Sequence, residues 1–335
     1  MANVRCLISD TFDPWFNLAT EDWIFHDMDP SEHVLFLWRN DKTVVMGRNQ
    51  NPWAECNIEK MNLNNVRLVR RQSGGGAVFQ DLGNTCFTFL SPKGEYDKKR
   101  NFQIIINALK KFGIDAETSG RNDLIVDGRK VSGSAFKENP DRAFHHGTLM
   151  INVNLGELAN YLTPSQKKLE SKGTSSVKSR VANLSEFCEE ISHDLLAQAI
   201  ISEFFKTYGI EEKVEVLDNG TLKEIPELSK YYEMLKSKDW IFGESPDFDH
   251  HLEERFEWGM VDLHLNAEGG KITGVKIFSD CLNTNLVDVL EKALLGADYN
   301  SVSIISRTSL LKEENPELAG YIDDFNSWIE KEIPA

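Results

Sequence analysis

The sequence predicts an α/β (α+β) protein in two parts: a large first domain and a small α/β domain at the C-terminal end. Three observations predict this. Strand-like and helix-like runs alternate through residues 1–210. A polar, breaker-rich stretch, Phe242-Gly243-Glu244-Ser245-Pro246-Asp247, then interrupts the pattern. Alternating runs resume beyond it, at Met260–Leu265 and Ile272–Phe278, with two helix-like segments after them. A chain of 335 residues has room for two domains. We expect domain limits of 1–243 and 251–335, joined by a linker at 244–250.

Each element has its own reason. Val4–Ser9 reads as a strand, and Pro14 opens a helix through Met28 with Phe16, Ala19, Trp23 and Phe25 among its apolar positions. Val34–Trp38 and Thr43–Met46, split by Asn40-Asp41-Lys42, read as a hairpin. Val66–Val69 is a strand that runs directly into Ser73-Gly74-Gly75-Gly76. Ala77–Phe79 and Thr85–Leu90 follow around the turn Asp81–Asn84. Phe102, Ile105, Ile106, Leu109 and Phe112 recur at helical spacing, and Gly113 is a natural stop. Leu124–Val126 and Lys130–Val131 flank Asp127-Gly128, a strong hairpin signal. His146–Val153 reads as another strand, and a helix from about Asp194 to Tyr208 ends at Gly209. Residues 210–250 give no clear pattern.

Composition narrows the function classes. Hydrophobic residues at 41% support a sizeable core, and charged residues at 27% suit a globular chain. No apolar run approaches the ~20 residues that span a bilayer. Met1–Asp10 has no signal-peptide pattern, so a cytoplasmic protein is expected. The five cysteines are scattered, with no CxxC pair, which points to reduced thiols rather than a disulfide frame or a zinc site. Residues 1–210 hold 25 Lys+Arg against 26 Asp+Glu, a balance of −1, while 211–335 hold 12 against 27, a balance of −15. The acidic tail would repel nucleic acid, and as a plain solvated surface it keeps a protein soluble.

Two segments carry candidate chemistry. Three consecutive glycines after a strand permit close backbone approach, and exposed N–H groups in such a loop form an anion-binding concavity. Arg70 and Arg71 place two cations just before it. The loop fits neither GxxxxGK[ST] nor GxGxxG, so on its residues alone a flexible turn explains it equally well. Lys130 sits two residues past the turn glycine, on the arm Lys130-Val131-Ser132-Gly133-Ser134. It reads either as a solvated lysine or as an inward one, with Ser132, Gly133 and Ser134 leaving room for a ligand. A compact ammonium suits a place where a carboxylate and a phosphate meet. Of His145 and His146, adjacent on a strand, only one can line a given pocket, and the pair is too few for a metal site. Cys86 reads as a core thiol without a neighbouring base.

Five motifs in order make a more specific case: Asp13-Pro14-Trp15-Phe16-Asn17-Leu18-Ala19, Arg70 to Phe79, Gly120-Arg121-Asn122-Asp123-Leu124, Arg129 to Ala135, and His145-His146-Gly147-Thr148-Leu149. In this combination the chain resembles the bacterial lipoate–protein ligase A family of the biotin/lipoate ligase superfamily, over nearly its whole length. The resemblance implies a biotin–protein-ligase-like fold, with a mixed β-sheet flanked by helices and no P-loop, plus a small C-terminal domain. It implies adenylation of free lipoate by ATP, then transfer of the lipoyl group to a lysine of an acceptor domain. The acceptors it implies are acyltransferase subunits of 2-oxoacid dehydrogenases and the glycine-cleavage H protein.

It also assigns roles. Lys130 matches the catalytic lysine that touches both lipoate and ATP. Arg71, Gly76, Ala77, Val78 and Phe79 match the ATP-contacting run. Arg70, Ser73, Gly74, Gly75, His146 and Gly147 match walls of the lipoyl pocket, and Asp123 is a magnesium or amine contact. ATP and Mg²⁺ are thus expected as substrate and activator, with no tightly bound prosthetic group, no membrane, and a monomer. Relatives that use a cysteine thioester carry it in a Pro-Cys-Gly context. Here that region reads Ser171-Lys172-Gly173-Thr174, and Cys188 lacks the context, which favours the ATP route. Glu170–Arg180 is expected to form a mobile cover. Three alternatives stay open: a transferase that uses preformed lipoyl-AMP, a non-catalytic module that binds lipoate or lipoyl domains, and biotin ligation.

Overall fold

The computed structural model describes residues 3–120, 122–162, 181–211, 213–242, 250–268 and 270–333. The expected cover Glu170–Arg180 and most of the expected linker lie outside the described residues. The chain forms two compact units. The first comprises residues 1–46, 53–72 and 77–241, and the second comprises 47–52, 73–76 and 242–335.

The first unit is built on a mixed sheet of eight strands. In chain order its strands, with those of a smaller sheet, are β1 (Asn3–Ser9), β2 (Glu32–Trp38), β3 (Thr43–Met46), β4 (Arg67–Arg70), β5 (Val78–Gln80), β6 (Asn84–Pro92), β7 (Glu117–Ser119), β8 (Asp123–Val126), β9 (Arg129–Glu138), β10 (Arg142–Met150) and β11 (Val214–Leu217). The large sheet has the order β11-β1-β2-β6-β10-β9-β8-β7, and the small one β4-β3-β5. In the large sheet β1 runs parallel to β2 and β11, and the other pairings are antiparallel.

Alternation along the strands gives the large sheet two apolar faces. One buries Leu35, Leu37, Phe87, Phe89 and Leu149 with helices α2 (Lys98–Lys110) and α3 (His193–Tyr208). The other buries Val34, Phe36, Trp38, Cys86 and Leu90 with α1 (Pro14–His26) and α4 (Pro226–Lys236). The helix ends follow local chemistry. Asp13 accepts from the Trp15 N–H ahead of Pro14, Asp97 accepts from Lys99 and Arg100, and Gly209 closes α3 at φ 66°.

The expected hairpin of 34–38 and 43–46 does not form. β2 pairs with β1 and β6, whereas β3 is the centre of the small sheet, between β4 and β5. The connecting residues form a crossover instead. Asn40 donates to Gln80 and accepts from Asn17, and Lys42 takes φ 36°. Residues 210–242, which give no sequence pattern, hold the edge strand β11, α4 and two short helices.

The second unit has an antiparallel sheet of β12 (His250–Phe256), β13 (Gly259–Glu268) and β14 (Lys271–Ser279). Its helices are α5 (Thr284–Leu294), α6 (Ser301–Glu314) and α7 (Ala319–Glu332), three where the sequence suggested two. Leu263, Ile277, Leu290, Phe325 and Trp328 are among its core.

Candidate active site

The placement of Lys130 depends on an irregularity in the β8–β9 ladder. Leu124 faces Ser132, but Ile125 faces Lys130, so Val131 is an extra residue in β9. A bulge of this kind re-aims the side chains beyond it. Val131 is fully buried in the core. Lys130 instead shares a face with Gly133 and with Asp123, which lies opposite Gly133. Lys130 Nζ sits 2.7 Å from Asp123 Oδ1, and both side chains are about one-third exposed, at 37% and 30%. Gly133 makes this possible, because a Cβ there would lie 2.9 Å from the Lys130 nitrogen. The Lys130 carbonyl accepts from the Ala182 N–H.

The same bulge corrects the expected roles of the neighbouring serines. Ser132 and Ser134 fall on the opposite face from Lys130, buried, with hydroxyls that find no partner among the described residues. Only Gly133 leaves room beside the lysine.

His146 and His145 separate as adjacent strand residues must. His146 faces the α1 side, where its Nδ1 lies 2.8 and 2.9 Å from the two Glu21 carboxylate oxygens. Glu21 also accepts from the Thr88 hydroxyl, which in turn accepts from the Trp38 indole N–H. Sequence reading missed this chain. The available signal was the acidic pair Glu21-Asp22 set between the apolar runs of this helix, since buried carboxylates need partners. His145 points the other way into Phe87, Phe89, Phe102 and Phe136, and neither ring nitrogen has a partner among the described residues. Burial holds it neutral, well below the usual imidazole range.

Gly147 shares the His145 face. A side chain there would meet Phe87 at 2.6 Å and the Gly133 carbonyl at 2.9 Å, so only its backbone can border a ligand. Arg71 is buried, donates to the Val45 carbonyl, and is pushed down to about 10 by loss of solvent, with Glu21 opposing. It stays a cation at neutral pH. Arg70 is also buried, and its guanidinium donates to the carbonyls of Trp240 and Ile241. Val78 and Phe79 lie in β5 against β3. The Phe79 ring packs on Tyr161, and Ala77 borders the same cluster, so backbone is what this run offers a ligand.

Ser73 to Gly76 belong to the second unit. Gly75 takes φ 93°, a conformation that favours glycine, and its N–H donates to the Cys281 carbonyl at 3.2 Å. A Cβ on Gly74 would lie 2.1 Å from that same carbonyl oxygen. Backbone contact with Cys281-Leu282 therefore accounts for two of the glycines. The Gly75 amide is thus already engaged by a backbone carbonyl.

All five cysteines are free. Burial raises the Cys86 thiol far above its usual range and pushes Cys56 up to about 12. Neither is a ready thiolate at neutral pH, in line with the sequence reading.

Comparisons with known proteins agree with one another. Residues 13–205 match the family described as "Lipoyl protein ligase A/B catalytic domain", and residues 245–328 match "Bacterial lipoate protein ligase C-terminus". The chain is 54% identical to "Lipoate-protein ligase A" of Psychrobacter cryohalolentis over 97% of this chain and 98% of the relative. It is 47% identical to the protein of the same name from Bdellovibrio bacteriovorus, over 99% of each. Among solved structures, P. falciparum LipL1 in complex with lipoate superposes with a TM-score of 0.89 at 37% identity, covering 98% of this chain and 100% of that one. Among the described residues no helix is long and apolar enough to cross a membrane.

Proposed function

The chain belongs to the lipoyl protein ligase A/B family, and on that premise we propose that it is an ATP-dependent lipoate–protein ligase. Free lipoate and ATP give lipoyl-AMP and pyrophosphate, and the lipoyl group then passes to the ε-amine of a lysine on an acceptor domain. The acceptors are acyltransferase subunits of 2-oxoacid dehydrogenases and the glycine-cleavage H protein. The protein acts as a monomer in the cytoplasm. Its catalytic domain covers 1–243 and its accessory domain 251–335, with Gly47–Pro52 and Ser73–Gly76 counted in the second compact unit.

The observation that carries the mechanism is the Lys130–Asp123 pair on the re-aimed face of β9. In the first step a lipoate carboxylate oxygen attacks the α-phosphorus, and pyrophosphate leaves with the bonding electrons. Two unit negative charges 4 Å apart repel by about 4 kcal/mol at an effective dielectric of about 20. An ammonium between them offsets that cost, most strongly as the new P–O bond forms. Arg71 adds a fixed positive potential, and its burial means that little water screens it. In the first unit, the backbone of Ala77 to Phe79 would border the nucleotide, and Arg70, His146 and Gly147 the lipoyl group, with Glu21 setting the His146 ring. In the second step a neutral acceptor amine attacks the acyl carbon, AMP leaves with the bonding electrons, and the proton released by the nitrogen passes to solvent.

The donors suit magnesium. Asp123 Oδ1 is engaged by Lys130, while Oδ2 accepts from none of the described residues, and Mg²⁺ is commonly held by one or two carboxylates plus substrate phosphates. Asp123 would hold the ion, which when bound neutralises charge on the departing pyrophosphate.

The test is incubation with ATP, Mg²⁺, lipoate and a lipoyl domain, followed by intact mass measurement of the domain. A gain of one lipoyl group is expected. Lys130→Ala is expected to slow lipoate-dependent ATP–pyrophosphate exchange by about 10²–10³-fold. Transfer from synthetic lipoyl-AMP without any exchange in the parent protein would make it a transferase instead.

A further inference from the structure

We propose that the second unit carries a binding site for a zinc-like divalent cation, formed by His251, Asp262 and His264 on the outer face of its sheet. The site follows from strand register. His251 on β12 lies directly opposite His264 on β13, and Asp262 stands two residues before His264 on the same strand. With a side-chain period of two, all three project from one face, while Val261, Leu263 and Leu265 project into the core.

The side chains converge on one point. His251 Nε2 and His264 Nε2 each lie 2.7 Å from Asp262 Oδ1. The two rings are stacked at 4.6 Å with 24° between their planes. One donor atom from each residue lies within 4.8 Å of the others. Tetrahedral bonds of about 2.0–2.1 Å put neighbouring donors about 3.4 Å apart. Small rotamer changes therefore turn the present cluster into three ligands, with the fourth position open. The donor set of two imidazoles and a carboxylate is the borderline-soft set that zinc accepts and that calcium and magnesium do not favour. The Asp262 side chain is only 12% exposed and the His264 side chain 22%, whereas His251 at 54% leaves a path from solvent.

The basic side chains nearest the cluster are engaged by carboxylates: Arg255, on the same face of β12, pairs with Asp280 at 2.8 Å. Glu253 lies opposite Asp262 across β12–β13. Lys276 lies opposite His264 across β13–β14, but its ammonium is drawn to Glu291 Oε1 at 3.1 Å. A bound ion would tie β12 to β13 and so stabilise the small sheet.

Titration of the purified full chain with zinc chloride against a chromophoric chelator tests the site. One equivalent per chain is expected, with a dissociation constant below about 1 µM. His251→Gln and His264→Gln should each weaken binding by more than about 30-fold. Cys188→Ser, which removes a half-buried thiol, should leave binding unchanged. Substitution by cobalt on the unaltered chain gives a check that does not depend on variants folding. Visible bands of nitrogen and oxygen ligation are expected. A strong thiolate charge-transfer band would overturn the site, as would equal zinc affinity in the folded double variant or no saturable binding at 100-fold higher zinc, about 100 µM.

Discussion

Gly133→Ala isolates the geometry of the lysine from its charge. A methyl at this position would lie 2.9 Å from Lys130 Nζ and 3.0 Å from its Cε, and ordinary contact begins at 3.4 Å. The ammonium must therefore retreat by 3.4 − 2.9, or 0.5 Å. Misplacement by ~1 Å costs on the order of 10²-fold in rate, so half of that costs about tenfold. Folding should hardly notice. The obstructing atoms belong to the far end of a flexible side chain, and replacing glycine by alanine in an allowed conformation stabilises by ~0.4–1 kcal/mol through the unfolded chain. The assay is lipoate-dependent ATP–pyrophosphate exchange, run beside thermal melting. The expected result is an exchange rate down about tenfold at an equal or slightly higher melting temperature. Parent-level exchange in a well-folded variant would refute the idea that this contact places the reacting cation.

Three further expectations rest on other observations. Cys86→Ser and Cys188→Ser should both retain turnover, measured by lipoylation of a lipoyl domain, because Cys86 is a core thiol raised by burial and the Cys188 thiol packs at the edge of the core and donates to Glu190. Loss of turnover in either folded variant would revive a thioester route. His145→Phe should flatten the acid dependence of stability. The native ring stays neutral while the unfolded ring takes a proton below about pH 6.5, so the parent loses stability as pH falls. Between pH 7 and 5.5 the parent should lose about 1 kcal/mol more than the variant by urea denaturation, and parallel curves would contradict this. Asp123→Asn should raise the Mg²⁺ concentration for half-maximal exchange about tenfold, while an unchanged magnesium response with slower exchange would leave Asp123 the single task of holding Lys130.

What the sequence made legible was mostly local. The Asp127-Gly128 turn is readable because two residues decide it, and both adopt positive φ, 50° and 73°. α3 is readable because an apolar stripe and Gly209 act within one segment, while its Ser192 cap, two residues before the expected start at Asp194, was not read. The hairpin expected around Asn40 was misread because its outcome depends on Asn17 and Gln80, 23 and 40 residues away, which capture the Asn40 side chain. The bulge at Val131 escaped notice for a related reason. An extra residue in a strand has meaning only against the register of its partner, and no periodicity within β9 announces it. Glu21 stayed hidden because its partner His146 lies 125 residues later. β11 gave a weak signal because it is an edge strand with Val214 and Val216 left exposed, so its pattern lacks a buried row.

The Lys130–Asp123 pair has a property that its proposed role requires. With each side chain about one-third exposed, solvent screens the attraction, and such pairs contribute ~1 kcal/mol or less. A deeply buried pair would hold the ammonium too firmly, since removing one partner of a buried pair costs about 3–5 kcal/mol. Here the lysine is aimed by the covalent path of the bulge and by the empty space at Gly133, not by the strength of its ion pair. On the proposed function it would therefore exchange Asp123 for the oxygens of a carboxylate and a phosphate at small cost. The Arg71 cation is the opposite case. It is buried, bonded to the Val45 carbonyl and unable to wander, so it supplies a fixed field rather than a mobile contact. On the proposed function, one fixed and one exchangeable cation would divide the work of bringing two anions together: Arg71 would make the potential there more positive, and Lys130 would follow the charge as it moves onto the forming bond.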